Sequence, residues 1–283
     1  MTGTYDLMLI LEMGSRPADR GRIFGRQSGI PYVIASDVGV LKAATHYKLP
    51  PNDGFEYWPE YFLRACDHLG IARVPAKLEI FPTNDDIAAV DRLMNGWNEE
   101  VLVGFHPGVA AYARQTKRWP ADHFAELAGQ IEHQGSVRFV LTGSDDEREE
   151  CDELAAEIRH RQPRVQVSVT AGLLKFRATS ELLKRLSVFV TGDTATLHLA
   201  AASGTPTVAL FGATNPKTIS PPSVRVLHTD ISCRPCHVTR DTEPFWPNCI
   251  YSEPKCLTSL QPSRVAGEVN ALLNETKAKR RAT

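Results

Sequence analysis

The sequence predicts an α/β protein whose second two-thirds folds as a parallel, doubly wound sheet. Three observations carry this. Short apolar runs alternate with segments of helical period from residue 101 onward. Each run ends in a Gly, Thr or His-Pro turn. Apolar residues make up 42 % of the chain and charged ones 23 %, a globular balance that excludes chain-wide disorder. At about 150 residues per domain, 283 residues give a little under two domains.

The elements follow in order. Val101-Leu-Val-Gly-Phe105 is a strand that ends at His106-Pro-Gly108. Pro120 opens a helix in which Phe124, Leu127, Ala128 and Ile131 share one face. Residues 137–141 form a strand closed by Thr142-Gly143. A charged helix over 145–160 places Cys151, Leu154, Ala155 and Ile158 on one face. A strand over 165–169, a helix over 180–186 and a buried strand over 188–190 come next. A helix of small residues over 194–203 and a strand over 206–211 complete the alternation. Ligands of such sheets lie at the carboxyl ends of the strands.

The first third is less regular. Strands are expected at 5–11, 30–34 and 77–81, and helices at 16–27, 57–69 and 84–94, with a loop at 50–54. The domain boundary is placed at Asn95-Gly96, which gives domains over 1–96 and 97–283.

Charge and patterning exclude several classes. Lys+Arg 32 against Asp+Glu 33 leaves a net charge of −1, so nucleic acid is not an expected partner. No apolar run approaches the ~18 residues of a membrane span, and the first residues lack a basic, cleavable leader. A cytoplasmic location is expected, peripheral to the inner membrane at most. The basic end Lys277-Ala-Lys-Arg-Arg281 is either a solvated terminus or a contact with an anionic lipid surface.

Three motifs can carry chemistry. In Thr191-Gly-Asp-Thr-Ala-Thr-Leu-His198, Asp193 or Thr194 can cap the following helix. The free N–H groups beyond the cap suit a diphosphate, with about 0.3–1 kcal/mol from the helix dipole. His198 lies one turn deeper. From the pattern alone, an ordinary capped helix with a core histidine is the favoured reading. Lys117 and Arg118 precede a helix start and can neutralise a phosphate, or simply face solvent. Thr142-Gly-Ser-Asp-Asp-Glu147 follows a strand. Its carboxylates can bind a ribose diol or favour the helix dipole. No Gly-x-Gly-x-x-Gly is present, against a dinucleotide enzyme.

Four of six cysteines, Cys233, Cys236, Cys249 and Cys256, lie within 24 residues. The spacing fits a tetrahedral thiolate site for zinc or iron; free thiols or two disulfides are the alternatives. Trp246 and Pro247 would stiffen the loop before Cys249. Cys66 and Cys151 sit on apolar helix faces as core residues.

Taken in order, several pieces resemble glycosyltransferase family 9, the ADP-heptose heptosyltransferase family. They are His106-Pro-Gly108, Lys117-Arg-Trp-Pro120, Leu141-Thr-Gly143 with Glu147, Asp193-Thr194 with His198-Leu-Ala-Ala-Ala202, residues 204–212 and Thr214-Asn-Pro216. The resemblance covers residues 101–273 well and 5–81 faintly. It implies two facing Rossmann-like domains of the GT-B type, the C-terminal one complete and the N-terminal one shortened.

It also implies inverting transfer of a sugar, most simply a heptose, from an ADP-linked donor to a glycan, lipid-linked or protein acceptor, with no metal needed for catalysis. By position, Lys117 would bind the diphosphate, Glu147 the ribose and Asp193 the sugar. The Thr194, Ala195 and Thr196 amides would hold phosphate, and Gly108 and His198 would line the same site. Ala195 stands where the family usually has Gly.

No segment matches the family's opening strand, Gly-Asp turn and helix, whose carboxylate acts as base, so the catalytic residue is unassigned. Glu12 and Asp37 follow strands in the remaining domain. A non-catalytic nucleotide-sugar-binding or assembly module is the alternative reading. Some relatives carry a cysteine-bound iron loop, and the loop over 233–256 is the candidate contact for oligomers.

Overall fold

The structure is a computed structural model that describes residues 5–10, 30–35, 47–50, 52, 56–110, 113–132, 135–236 and 249–282. The expected helix over 16–27, most of the loop at 50–54, and Glu12, Asp37, Trp246 and Pro247 lie outside them. The chain divides into two compact units. One comprises residues 1–76 with 217–219 and 236–247, the other the remainder.

The first unit holds a parallel sheet β1-β2-β3 of Leu7–Ile10, Tyr32–Ala35 and Tyr47–Lys48. Leu7 pairs with Tyr32, and Ile34 with Tyr47. The helix expected over 57–69 is broken at Leu63 into α1 (Trp58–Phe62) and α2 (Arg64–His68). Tyr61 and Ala65 from these helices are buried with Ile34 and Leu49. The first two strands were legible as apolar runs. The two-residue β3 was too short to be.

The second unit carries a six-stranded parallel sheet. Its strands are β4 (Val101–His106), β5 (Val137–Leu141), β6 (Gln166–Val169), β7 (Val188–Gly192), β8 (Thr207–Leu210) and β9 (Arg225–Leu227). Their order is β6-β5-β4-β7-β8-β9. The chain builds outward from β4 in one direction, then crosses back to β7 and builds in the other. The reversal between β4 and β7 is the switch point where doubly wound sheets open a crevice.

Both faces of the sheet are covered. Val101, Val103 and Phe105 of β4, with Phe139, Leu141, Val188 and Val190, pack on α5 (Ala121–Gln130) and α6 (Arg148–Arg161). A 21-residue helix near the C-terminus, Pro262–Ala282, joins this layer through Val265, Ala266, Val269, Leu272 and Leu273. Leu102, Val140 and Phe189 face the other way, onto α3 (Asn84–Leu93), α7 (Phe176–Arg185) and α8 (Ala195–Ala202). The central strand β4 is buried along its whole length, which explains its unbroken apolar run.

Two sequence expectations change. Residues 77–81 form no strand; helix α3 instead follows a stretch without regular structure and starts at a Thr83–Asp86 capping box. Helix α7 begins at Phe176, four residues earlier than read, because its buried face of Ala178, Leu182 and Leu183 includes the first turn.

Gly104 is the small residue in β4 that lets this second layer close. A Cβ there would lie 2.3 Å from Leu186 Cδ1 and 2.7 Å from Phe189 Cδ2, both side chains being buried. Gly104→Ala is therefore expected to destabilise the protein by about 1–3 kcal/mol through overpacking. Urea denaturation checks this, with a lower midpoint and an unchanged slope as the expected result.

Candidate active site

Three loops converge where the sheet reverses direction. His106 ends β4 and is paired in register with Thr191 near the end of β7. The loop after β4 runs into a short helix, α4 (Arg114–Lys117). Its last turn seats against two glycines at the ends of β7 and β8. A Cβ on Gly192 would lie 3.5 Å from the Lys117 carbonyl, and one on Gly212 would lie 2.8 Å from the Thr116 carbonyl. Glycine at 212 leaves room for backbone to approach backbone. Trp119 fixes the other side of the turn: its indole Nε1–H donates to the Leu260 carbonyl at 3.0 Å, and its ring packs on Phe124.

This seating delivers Lys117 Nζ to Asp193 Oδ2 at 2.6 Å. The two side chains are only 11 % and 7 % exposed, so this is a buried ion pair. Thr214 Oγ1–H donates to the same oxygen at 2.8 Å. Arg118 turns away and pairs with Glu150, so of the two basic loop residues only Lys117 enters the cleft.

Beside Asp193, the hydroxyls of Thr191, Thr194 and Thr196 bond one another at 2.7–3.2 Å. Thr194 occupies the N-cap of α8 but makes no side-chain cap bond, and Asp193 is engaged with Lys117 and Thr214. The expected side-chain cap is absent because stronger partners claim both groups. Ala195 begins α8, and no described non-glycine residue has a positive φ, so the backbone here does not need glycine.

On the other side of the cleft, Glu147 Oε2 accepts from the Ser144 amide at 2.7 Å and the Ser144 hydroxyl at 3.0 Å. Its carboxyl fills the space where a Gly108 side chain would be: a Cβ there would lie 2.3 Å from Glu147 Cδ. His106 Nδ1 lies 3.0 Å from the Thr142 carbonyl, a contact that requires Nδ1–H as donor and leaves Nε2 as acceptor. Burial pushes the His106 imidazole below its ordinary range, against the opposing pull of Glu147. His198 is likewise held low, first by burial and then by Lys117, while Asp193 opposes. His198 sits a turn into α8, outside the cleft wall.

The cleft has a volume of about 520 Å³. Lys117, Glu147, Asp193, Thr194, Ala195 and Thr196 line it. Gly108 supports Glu147 from behind. An apolar wall of Val109, Leu174, Phe176 and Leu199 faces these polar groups. Thr191 and Thr214 were not singled out as site residues. Their signal was position alone, in the short polar segments that close β7 and β8.

The metal site expected at Cys233, Cys236, Cys249 and Cys256 gains no support from the arrangement of the described residues. Among the described residues no three His, Cys, Asp or Glu side chains converge as a metal requires. Cys256 lies in the short helix Lys255–Thr258 and is buried in the core with Leu257 and Leu260. The Cys249 thiol instead faces the Glu253 carbonyl at 3.7 Å. Cys151 is a core residue as read, and burial raises its thiol to about 12. Cys66 is half-buried. No described helix is long and apolar enough to cross a membrane.

The two low histidines give a pH dependence. Both bind protons less readily in the folded chain than in the unfolded one, whose histidines titrate near 6.5. Stability is therefore full above that value and falls as pH drops through it. Denaturation at pH 7.5 and 5.5 is expected to show the loss, and His198→Asn to reduce it. An unchanged slope in that variant would remove His198 as a source.

The model of glycosyltransferase family 9 (heptosyltransferase) matches residues 83–246. Lipopolysaccharide heptosyltransferase 2 of Escherichia coli (strain K12) is 31 % identical over 183 residues, 64 % of this chain and 49 % of that protein. Lipopolysaccharide heptosyltransferase 1 of Pseudomonas aeruginosa is 35 % identical over 169 residues, 56 % of this chain and 45 % of that protein. The chain spans about half the length of the curated relatives it matches. The solved structure of E. coli ADP-heptose lps heptosyltransferase II has a similar fold. Its TM-score is 0.71 at 22 % identity, over 96 % of this chain and 78 % of that one. The α/β architecture is of the GT-B class, and with the family model matched over more than half its length, this chain belongs to glycosyltransferase family 9.

Proposed function

We propose that the protein transfers a heptose from an ADP-linked donor to a growing lipopolysaccharide core, with inversion at the anomeric carbon. The observation that carries this reading is the convergence of Lys117, the Asp193–Thr214 pair and the open start of α8 on one cleft. The acceptor hydroxyl attacks the anomeric carbon from the face opposite the diphosphate and gives up its proton to a general base that is not among the residues assigned here. The bond to the diphosphate oxygen breaks, and that oxygen leaves with the electron pair.

Negative charge then grows on the leaving group. Lys117 and the amides of Ala195 and Thr196 offer a cation and N–H donors where it develops. Lys117 exchanges its Asp193 partner for the diphosphate, and Thr214 retains a hydrogen bond to the carboxylate, which turns to the sugar. Glu147, held by Ser144 against Gly108, accepts from the ribose hydroxyls. His198 lies behind Asp193 as a neutral imidazole. Solvent exclusion by the apolar wall strengthens each of these contacts.

The test is ligand-induced stabilisation followed by transfer. ADP at about 100 times its Kd is expected to add about 2.7 kcal/mol to unfolding. Lys117→Met should abolish the shift. With ADP-heptose and lipopolysaccharide truncated before its heptoses, heptose should appear on the acceptor. No shift at millimolar ADP would overturn donor binding. Binding without transfer would overturn the enzymatic reading and favour a nucleotide-sugar-binding module.

A further inference from the structure

The Cys233-Arg-Pro-Cys236 segment carries a contact in the fold that does not involve its thiols. The Arg234 side chain reaches the loop that follows β8. Its Nε–H donates to the Gly212 carbonyl at 2.5 Å, Nη1 to the Thr229 carbonyl at 3.0 Å and Nη2 to the Thr214 carbonyl at 3.4 Å. A planar fork can satisfy several carbonyls at once with little further loss of freedom. The same loop is confined from other directions. A Cβ on Gly212 would lie 2.8 Å from both Leu257 Cδ1 and the Thr116 carbonyl, the residue before Lys117. The loop's outward product is the Thr214 hydroxyl, which donates to Asp193 Oδ2 at 2.8 Å.

We propose that Arg234 is a positioning residue for the cleft: by holding the carbonyls on either side of Ala213, it sets the Thr214 hydroxyl and, through it, the direction in which Asp193 meets Lys117. Among the described residues, the Arg234 hydrogen bonds go to the Gly212, Thr214 and Thr229 carbonyls, so its route to the ion pair runs through Thr214. The consequence for catalysis rests on the donor reading above, whereas the positioning itself is a property of the ion pair. A residue that merely tethered the cysteine segment would affect global stability but would have no coupling to the Thr214 hydroxyl.

The experiment reads Lys117 directly. Acetylation of the intact protein by limiting acetic anhydride, resolved by mass spectrometry, reports how well Lys117 Nζ is held. Arg234→Met and Thr214→Val are each expected to speed Lys117 acetylation about tenfold, the scale of one lost hydrogen bond to a charged group. The double variant is expected to match Thr214→Val alone, because Arg234 then has no hydroxyl left to place. An unchanged rate in Arg234→Met, or multiplied effects in the double variant, would overturn the proposal. If Arg234→Met does not melt cooperatively, Arg234→Lys replaces it; it keeps the charge without the fork and should give an intermediate rate, and a native rate would overturn the proposal. ADP affinity measured in parallel separates the two readings, since a native protein that fails to bind ADP speaks against the donor role while the acetylation rates still decide the positioning.

Discussion

The buried pair between Lys117 and Asp193 is the contact on which the site depends. It joins positions 76 residues apart in the chain across the point where the sheet reverses direction. Two charges removed from water are favourable only with close geometry and further hydrogen bonds, and a partner left alone is costly. Here the geometry is enforced from outside. Glycines at the ends of β7 and β8 admit the backbone of the Lys117 turn, and Trp119 anchors the residue two positions on. Thr214 supplies the additional hydrogen bond.

The remaining polar groups are arranged around this pair with the same economy. Glu147 and His106 are each fixed by local bonds, to Ser144 and to Thr142, and leave one side open to the cleft. The start of α8 keeps its amides free of side-chain caps because Asp193 faces Lys117 and the neighbouring threonines bond one another. A site built this way holds its donors and charges in place before any ligand arrives. In the proposed transfer, that preorganisation is what stabilises the departing diphosphate.

Much of this was legible in the sequence, and the reasons are local. The strands of the second unit are short, buried on both faces and closed by turn residues, so their apolar runs stand out. Lys117, Glu147 and Asp193 were visible because each lies just past a strand or at a helix start. Arg118 has the same sequence context as Lys117, and only the position of Glu150 on α6 separates them. Thr214 gave no chemical signal of its own, since its use depends on a loop held by Arg234. The cysteine spacing pointed to a metal because spacing says nothing of direction. Helical packing carries Cys256 into the core. The strand expected at 77–81 did not form: the alternating pattern was present, but among the described residues no strand pairs with it.

The most direct measurement is a double-mutant cycle on stability, with Lys117→Met, Asp193→Asn and both together compared by urea denaturation. If the buried pair organises the site, Lys117→Met should cost about 3–5 kcal/mol, because it strands the Asp193 charge, and Asp193→Asn in the same chain should restore most of the loss. Losses that simply add would contradict the pair's central place and leave two charges held independently of each other.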